Sequence, residues 1–212
     1  MTQTNSAPQN KTLTDHLRIN GKFIVDPIVT VFAALGLSPN MITFAGFLVH
    51  IPIAWFLSQG EWRIATTLGL LSFFDALDGA LARKLGKAHN TKFGGFLDSM
   101  TDRCSEILLY GGAIAYYVMA NNLSLVLITL AALGGSLMVS YARSRAEALG
   151  FECKVGLFSR VERYLTLFVF GMLLRPDLAM IVLAIGTWFT VGQRAWTVWQ
   201  QANVVLNVES EK

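Results

Sequence analysis

Charged side chains are scarce. Only 15% of the 212 residues are Asp, Glu, Lys or Arg, against roughly 25% in an ordinary soluble domain, while 53% are hydrophobic. That balance excludes a disordered chain and a soluble nucleic-acid binder, and it argues against an ordinary globular enzyme. Cysteine is nearly absent. Cys104 and Cys153 lie far apart and form no CxxC, so neither a zinc site nor a disulfide framework is expected. The first residues, MTQTNSAPQNKTLTD, carry no apolar core, so no cleavable signal peptide is expected and residues 1–16 read as a mobile polar tail. Internal repeats and matching Gly/Pro-broken halves are missing too, which argues against a cation or proton-coupled transporter.

What the chain has instead is apolar length. Residues 17–37 mix Arg18 and Lys22 with Ile19, Phe23, Ile24, Val25, Ile28 and Val29. This segment is too charged at its start to span, and is expected to lie on the membrane as an amphipathic helix interrupted at Pro27. Ser38-Pro39-Asn40 then starts a new element. Six apolar segments follow, at about 41–58, 64–82, 96–120, 123–141, 164–174 and 178–198, close to the roughly 20 residues a crossing needs except for the fifth, which is short and has polar residues leading into it. Trp62, Trp188, Trp196 and Trp199 are available as interface anchors. The expected fold is an all-α integral membrane protein, six transmembrane helices preceded by a surface helix. One domain is expected over 17–200, with a polar C-terminal tail at 201–212.

The basic residues give this path an orientation. Lys11, Arg18 and Lys22 precede the first span. Arg83, Lys84, Lys87, Lys92 and Arg103 surround the hinge between spans two and three. Arg143, Arg145, Lys154, Arg160 and Arg163 surround the link between spans four and five, and Arg194 and Lys212 end the chain. Of the 17 Lys and Arg, only Arg63 and Arg175 fall on the other side. The positive-inside rule therefore expects both termini and the two long links on the cytoplasmic face of the cell membrane.

Acidic residues occur where a membrane should disfavour them. Asp75 and Asp78 are three apart at the end of the second span, and Asp98 and Asp102 are four apart at the start of the third, so each pair shares a helix face. A short basic hinge joins them, which expects antiparallel neighbours and four carboxylates converging in one partly buried pocket. Like charges so placed repel one another and raise each other's pKa. Arg83 alone cannot neutralise four of them, whereas one or two hard divalent cations can, and all-oxygen ligands suit Mg2+ or Mn2+. Two metals roughly 3.5–4 Å apart also suit phosphoryl chemistry, clamping attacking and leaving oxygens. The plainer reading, carboxylates in water paired with nearby Lys and Arg, fits a lone DxxD better than two pairs on adjacent helix ends.

The run Asp75-x-x-Asp78-Gly79-x-x-Ala82-Arg83, followed by Gly94-x-x-x-Asp98-x-x-x-Asp102, resembles the signature of the CDP-alcohol phosphatidyltransferases. The ten residues between Arg83 and Gly94 make a hinge somewhat longer than the family usually has. The resemblance implies an enzyme that replaces CMP by an alcohol on a CDP-linked lipid, either CDP-diacylglycerol or an ether-linked equivalent, with Mg2+ or Mn2+ as a two-ion cofactor. By position it implies metal ligation by Asp75, Asp78, Asp98 and Asp102, with Asp102 also the base on the acceptor hydroxyl. Gly79, Ala82 and Arg83 would line the CDP site, Arg83 near the diphosphate, with Asn40 and Thr43 as weaker nucleotide contacts. A homodimer is implied on the same ground, and membrane lipids rather than nucleic acid are the expected surroundings.

The segment Ser140-Tyr141-Ala142-Arg143-Ser144-Arg145-Ala146-Glu147-Ala148, with Glu162-Arg163 and Gln193-Arg194, is similar to the subgroup that makes phosphatidylinositol phosphate or archaetidylinositol phosphate. Arg143 stands where that subgroup more often has Lys, and Val161 where Pro is common. The implied acceptor is inositol 1-phosphate, its phosphate held by Arg143, Arg145, Arg163 and Arg194, since arginine forks suit phosphate. Glycerol 3-phosphate, the acceptor of a phosphatidylglycerophosphate synthase, is also anionic and is the alternative. An intramembrane prenyltransferase fits less well, because its two aspartate motifs lie far apart in sequence. Other residues read as structural: His50 and Pro52 at a helix kink, Glu106 paired with Arg103 or a polar neighbour, and Gly134-Gly135 at a close helix contact.

Overall fold

The computed structural model describes residues 22–69, 75–86 and 91–210, apart from the side chains of 22–25, 75, 76, 78 and 204–210. Among the described residues every regular element is a helix: α1 (Lys22–Ala34), α2 (Pro39–Ser58), α3 (Trp62–Gly69), α4 (Asp75–Leu85), α5 (Lys92–Met119), α6 (Leu123–Ala148), α7 (Arg160–Met172) and α8 (Pro176–Ser210). The expected tail at 1–16, together with Arg18, Lys87, Lys212 and part of the expected second span, lies outside the described residues.

Local chemistry sets where the helices begin. Ser38 adopts extended backbone before Pro39, and its hydroxyl accepts from the Met41 N–H at 3.3 Å. α2 thus opens with a hydroxyl cap and a proline in the first turn, where a missing N–H does no harm. Thr91 caps α5 through the Gly94 N–H at 2.9 Å, and Asn122 caps α6 through the Leu125 N–H at 3.1 Å.

Among the described residues three helices are long and apolar enough to cross a membrane: α2, α6 and the Pro176–Asn203 part of α8. The 26 residues of α6 reach about 39 Å, more than the roughly 30 Å of a hydrocarbon core. α5 is longer, at 28 residues, but Asp98, Asp102, Arg103 and Glu106 crowd its first half. α3, α4 and α7 have 8, 11 and 13 residues, each too short to cross alone. Over its described residues the protein is all-helical, with helices of membrane-spanning length.

α2 is the hub of one side, packing on α5, α3 and α4, while α1 rests on α4. On the other side α5 meets α6, α6 lies along α8, and α7 bridges α8 and α3. Ile53, Leu57, Trp62, Leu109, Tyr117 and Leu183 belong to the main buried cluster, and Val29, Ile42, Leu77 and Leu81 form a second one under α1. Two crossings need a missing side chain. A Cβ on Gly112 would overlap the Ala54 backbone where α5 crosses α2, and one on Gly135 would overlap the Thr187 hydroxyl where α6 meets α8. The expected close contact at Gly134-Gly135 is therefore made within this chain.

Three expectations change. α1 runs through Pro27 without a break, because burying Val29 against Ile42, Leu77 and Leu81 outweighs one lost backbone bond. Trp62 is no interface anchor. It is 4% exposed, with its ring edge-on to Tyr116 at 5.6 Å; Trp188, Trp196 and Trp199 are exposed. The backbone of 201–210, expected as a tail, continues α8 as helix.

Candidate active site

The carboxylates sit at the beginning of α5. Asp98, Asp102 and Glu106 follow one another at four-residue spacing, so they climb a single face. Asp98 is half-buried, Asp102 is 8% exposed and Glu106 is 2% exposed. Both oxygens of Asp102 are engaged: Oδ1 lies 2.7 Å from an Arg160 guanidinium nitrogen, and Oδ2 is 3.1 Å from Arg103. One turn further on, Glu106 Oε1 accepts from Arg163, whose other terminal nitrogen donates to the Phe158 carbonyl at 3.2 Å. Two acids four apart on α5 thus face two arginines three apart on α7.

The surroundings hold those arginines in place. Arg160 lies over the Tyr164 ring, 5.6 Å from its centroid, a cation–π contact. The Tyr164 hydroxyl is 3.4 Å from His50 Nε2, and His50 Nδ1 lies 2.9 Å from the Gly46 carbonyl. A carbonyl only accepts, so His50 Nδ1 carries a proton and donates to it, and in the neutral ring Nε2 then accepts from Tyr164. His50 is therefore a satisfied buried histidine within α2.

Asp75 and Asp78 lie three apart in the first turn of α4, and their side chains are outside the description. Gly79 is half-buried and adjoins Arg83, whose guanidinium would sit 3.3 Å from a Cβ placed there. Ala82 is buried and Arg83 is exposed. Asn40 stands at the start of α2 with its side-chain oxygen against Gly94, which brings the head of α2 to the head of α5. The Thr43 hydroxyl is buried and donates to the Pro39 carbonyl at 3.2 Å. Because α4 and α5 both pack on α2, their carboxylate ends share one neighbour. Among the described residues no three His, Cys, Asp or Glu side chains form a metal-holding group. The donor chemistry is nevertheless that of a hard-cation site: Asp98 and Asp102 offer only carboxylate oxygen from one face, and a cation there would share Asp102 with Arg160 and Arg103.

The four expected phosphate arginines divide into two kinds. Arg143 and Arg145 are exposed on the last turns of α6, Arg143 pairing with Glu147 at 2.8 Å. Arg163 and Arg194 are each 3% exposed. Arg194 donates to the Val139 carbonyl of α6 and, at 2.9 Å, to the Val155 carbonyl. The 149–159 link is strapped to α8 by further bonds: Phe158 N–H to the Thr190 hydroxyl at 3.0 Å and Leu157 N–H to the Gln193 side-chain oxygen at 3.2 Å. Cys153 in this link is fully buried, and burial pushes its thiol pKa up, with Arg194 opposing. Sequence reasoning counted Arg160 in the basic set around the 149–159 link but not among the phosphate contacts, and paired Glu106 with Arg103 or a polar neighbour. The matching four- and three-residue spacings on α5 and α7 were the available signal.

Paired aspartates on one helix with arginines gathered against them, in a bundle of membrane-length helices, suit a membrane phosphotransferase. The family model for CDP-alcohol phosphatidyltransferase matches residues 36–192, and the chain belongs to that family. Among its relatives, the archaetidylinositol phosphate synthase of Methanothermobacter thermautotrophicus is 38% identical over 199 residues, covering 91% of this chain and 97% of that protein. The crystal structure of Mycobacterium tuberculosis phosphatidylinositol phosphate synthase with CDP-DAG bound is similar, with a TM-score of 0.76 and 28% identity, over 83% of this chain and 94% of that one. The same enzyme in complex with manganese and citrate gives a TM-score of 0.77 at 28% identity, over 82% and 88% of the two chains.

Proposed function

We propose that this protein transfers the phosphatidyl group, or its ether-lipid counterpart, from a CDP-linked lipid to inositol 1-phosphate and releases CMP. The observation that carries this reading is the contact of Asp102 with Arg160 at 2.7 Å. It sets a carboxylate base beside a cationic cluster, as attack by an anionic alcohol on a diphosphate requires. The name of the archaeal relative and the CDP-DAG bound to the mycobacterial enzyme support the donor and the acceptor class.

In this reading Asp75, Asp78, Asp98 and Asp102 would hold one or two Mg2+ or Mn2+ ions, a choice supported by the manganese complex of the mycobacterial enzyme. Bound cations supply neutralisation of the diphosphate charge. The chain's own residues do the rest. Asn40, Thr43, Gly79 and Ala82 shape the nucleotide site, where the absent glycine side chain gives the ligand close approach, and Arg83 faces the diphosphate. Arg143, Arg145, Arg163 and Arg194 hold the acceptor phosphate, and this orientation is the main catalytic need. The acceptor hydroxyl oxygen attacks the phosphorus attached to the lipid. The bond from that phosphorus to the CMP oxygen breaks, CMP leaves with the bonding pair, and Asp102 takes the hydroxyl proton.

The same reading has six crossings, α3 with α4 making the second, α5 the third, and α7, at 13 residues shorter than a full crossing, the fifth together with the polar link that leads into it. The carboxylate end and both termini face the cytoplasm, and the protein works as a homodimer. The distribution of Lys and Arg supports the orientation.

The test is release of CMP by purified protein given CDP-diacylglycerol and, in parallel, inositol 1-phosphate, glycerol 3-phosphate, inositol and serine. Turnover with inositol 1-phosphate is expected, lost with EDTA and restored by excess Mg2+ or Mn2+. Turnover with glycerol 3-phosphate alone would overturn the acceptor, and undiminished turnover in EDTA would overturn the metal.

A further inference from the structure

The Glu106–Arg163 pair has features that stability does not explain. Both side chains are 3% exposed, and Glu106 Oε2 is buried without a hydrogen-bond partner among the described residues. Burying two charges and leaving one oxygen open is unfavourable, and a well-packed apolar pair of similar volume often does as well or better. The pair also stands at a junction. α5 packs on α2 and α6, and α7 on α3 and α8, while Asp102–Arg160 and Glu106–Arg163 form two rungs directly between α5 and α7.

Arg163 has five N–H donors. One goes to Glu106 and one to the Phe158 carbonyl, which fixes the plane of the fork and leaves three N–H groups beyond these two bonds. Without Glu106, the guanidinium would be anchored by a single neutral carbonyl and would be free to turn about that bond. With it, the helix that carries Asp98 and Asp102 also sets the direction of a phosphate-binding arginine.

We propose that Glu106 is a positioning residue for acceptor binding: it acts through Arg163, keeping the acceptor phosphate in register with the Asp102 carboxylate one turn away. This rests on the reading of Arg163 as an acceptor contact. The two rungs make α5 a common ruler for both halves of the reaction, the proton acceptor at Asp102 and the anion anchor at Arg163.

The test compares Glu106→Gln, which keeps shape and loses charge, Glu106→Asp, which keeps charge and shortens the arm, Arg163→Ala, and the Glu106→Gln/Arg163→Ala double variant. KM for inositol 1-phosphate and for CDP-diacylglycerol is measured for each, with thermal melting. E106Q should raise the inositol 1-phosphate KM by about tenfold, within the range for directly coupled residues, and leave the CDP-diacylglycerol KM within about twofold. E106D should recover part of the loss, and the double variant should be no worse than R163A. If R163A leaves the acceptor KM unchanged, the assignment of Arg163 fails and this inference fails with it. If R163A raises that KM while the Glu106 variants leave it alone, or move both KM values together, or add to R163A independently, the positioning role alone is overturned. Should E106Q not fold, a wild-type acceptor KM in E106D overturns it as well.

Discussion

Asp102→Asn separates chemistry from scaffolding at the centre of the proposed site. The substitution keeps the shape of the side chain and removes its charge, its basicity and much of its affinity for a divalent cation. Loss of a positioned general base alone lowers turnover by about 10²–10⁴-fold. The structural effect is much smaller. The partners of Asp102, Arg160 at 2.7 Å and Arg103 at 3.1 Å, have side chains 37% and 32% exposed, while the Asp102 side chain is 10% exposed, so water reaches both pairs from the arginine side only. Ion pairs open to solvent contribute about 0–1 kcal/mol each. The carboxamide oxygen of Asn still accepts from one arginine, so the net loss is on the order of 1 kcal/mol. For a chain of this length that lowers Tm by about 2–4 °C. The assay is CMP release from CDP-diacylglycerol, read beside a thermal melt in the same detergent. A variant that melts within those few degrees and has lost at least about a hundredfold in turnover supports the base and ligand roles. Turnover within about tenfold of the parent refutes them. A large drop in Tm matched by a proportional loss of active protein would instead make Asp102 a structural residue.

Two further predictions test the packing. Gly112→Leu places a side chain into the Ala54 backbone and should cost about 1–3 kcal/mol by overpacking the α2–α5 crossing. Gly111→Leu, where nothing lies within 4 Å, should leave the melting temperature nearly unchanged, and equal melts for the two would show that this crossing is not tight. Cys153 is fully buried and Cys104 half-buried, so a maleimide at pH 7.5 should label Cys104 first. Because burial raises the Cys153 thiol pKa, its thiolate appears at higher pH than an ordinary thiol's, and its labelling should stay slow as pH rises through 8–9. Labelling of both cysteines at one rate in the native protein would contradict the packing of the 149–159 link.

How much of this was legible in the sequence depends on how local the cause was. The starts of α2, α5 and α6 could be read because Ser38-Pro39, Thr91 and Asn122 act on the next three residues. The aspartate pairs could be read because three- and four-residue spacings fix a helix face without reference to other elements. Trp62 could not. Hydropathy treats an indole at a span end as an interface group, and only the Tyr116 and Tyr117 rings brought over from α5 make it core. Pro27 was misjudged for the same reason, since the contacts that carry α1 through it come from α2 and α4. The Glu106–Arg163 pair spans 57 positions; the matching spacings on the two helices hint at facing rungs, but nothing within either helix fixes which residue meets which.

The basic cluster shows why residue type alone left the acceptor site half-drawn. Four arginines near one end of the bundle look interchangeable in sequence, yet they sit in different dielectric surroundings. Arg143 and Arg145 meet solvent, where a phosphate contact is screened and easily exchanged. Arg163 and Arg194 are buried with their forks tied to Glu106 and to the Phe158, Val139 and Val155 carbonyls. A buried, tethered guanidinium binds an anion with little further loss of rotamer freedom, and in low dielectric its attraction is stronger. The acceptor phosphate would therefore draw most of its orientation from Arg163 and Arg194 and most of its first attraction from Arg143 and Arg145. Because Arg194 also ties α6 and the 149–159 link to α8, changes at that position would alter the local fold and acceptor binding together. Glu106 is the better position at which to separate them.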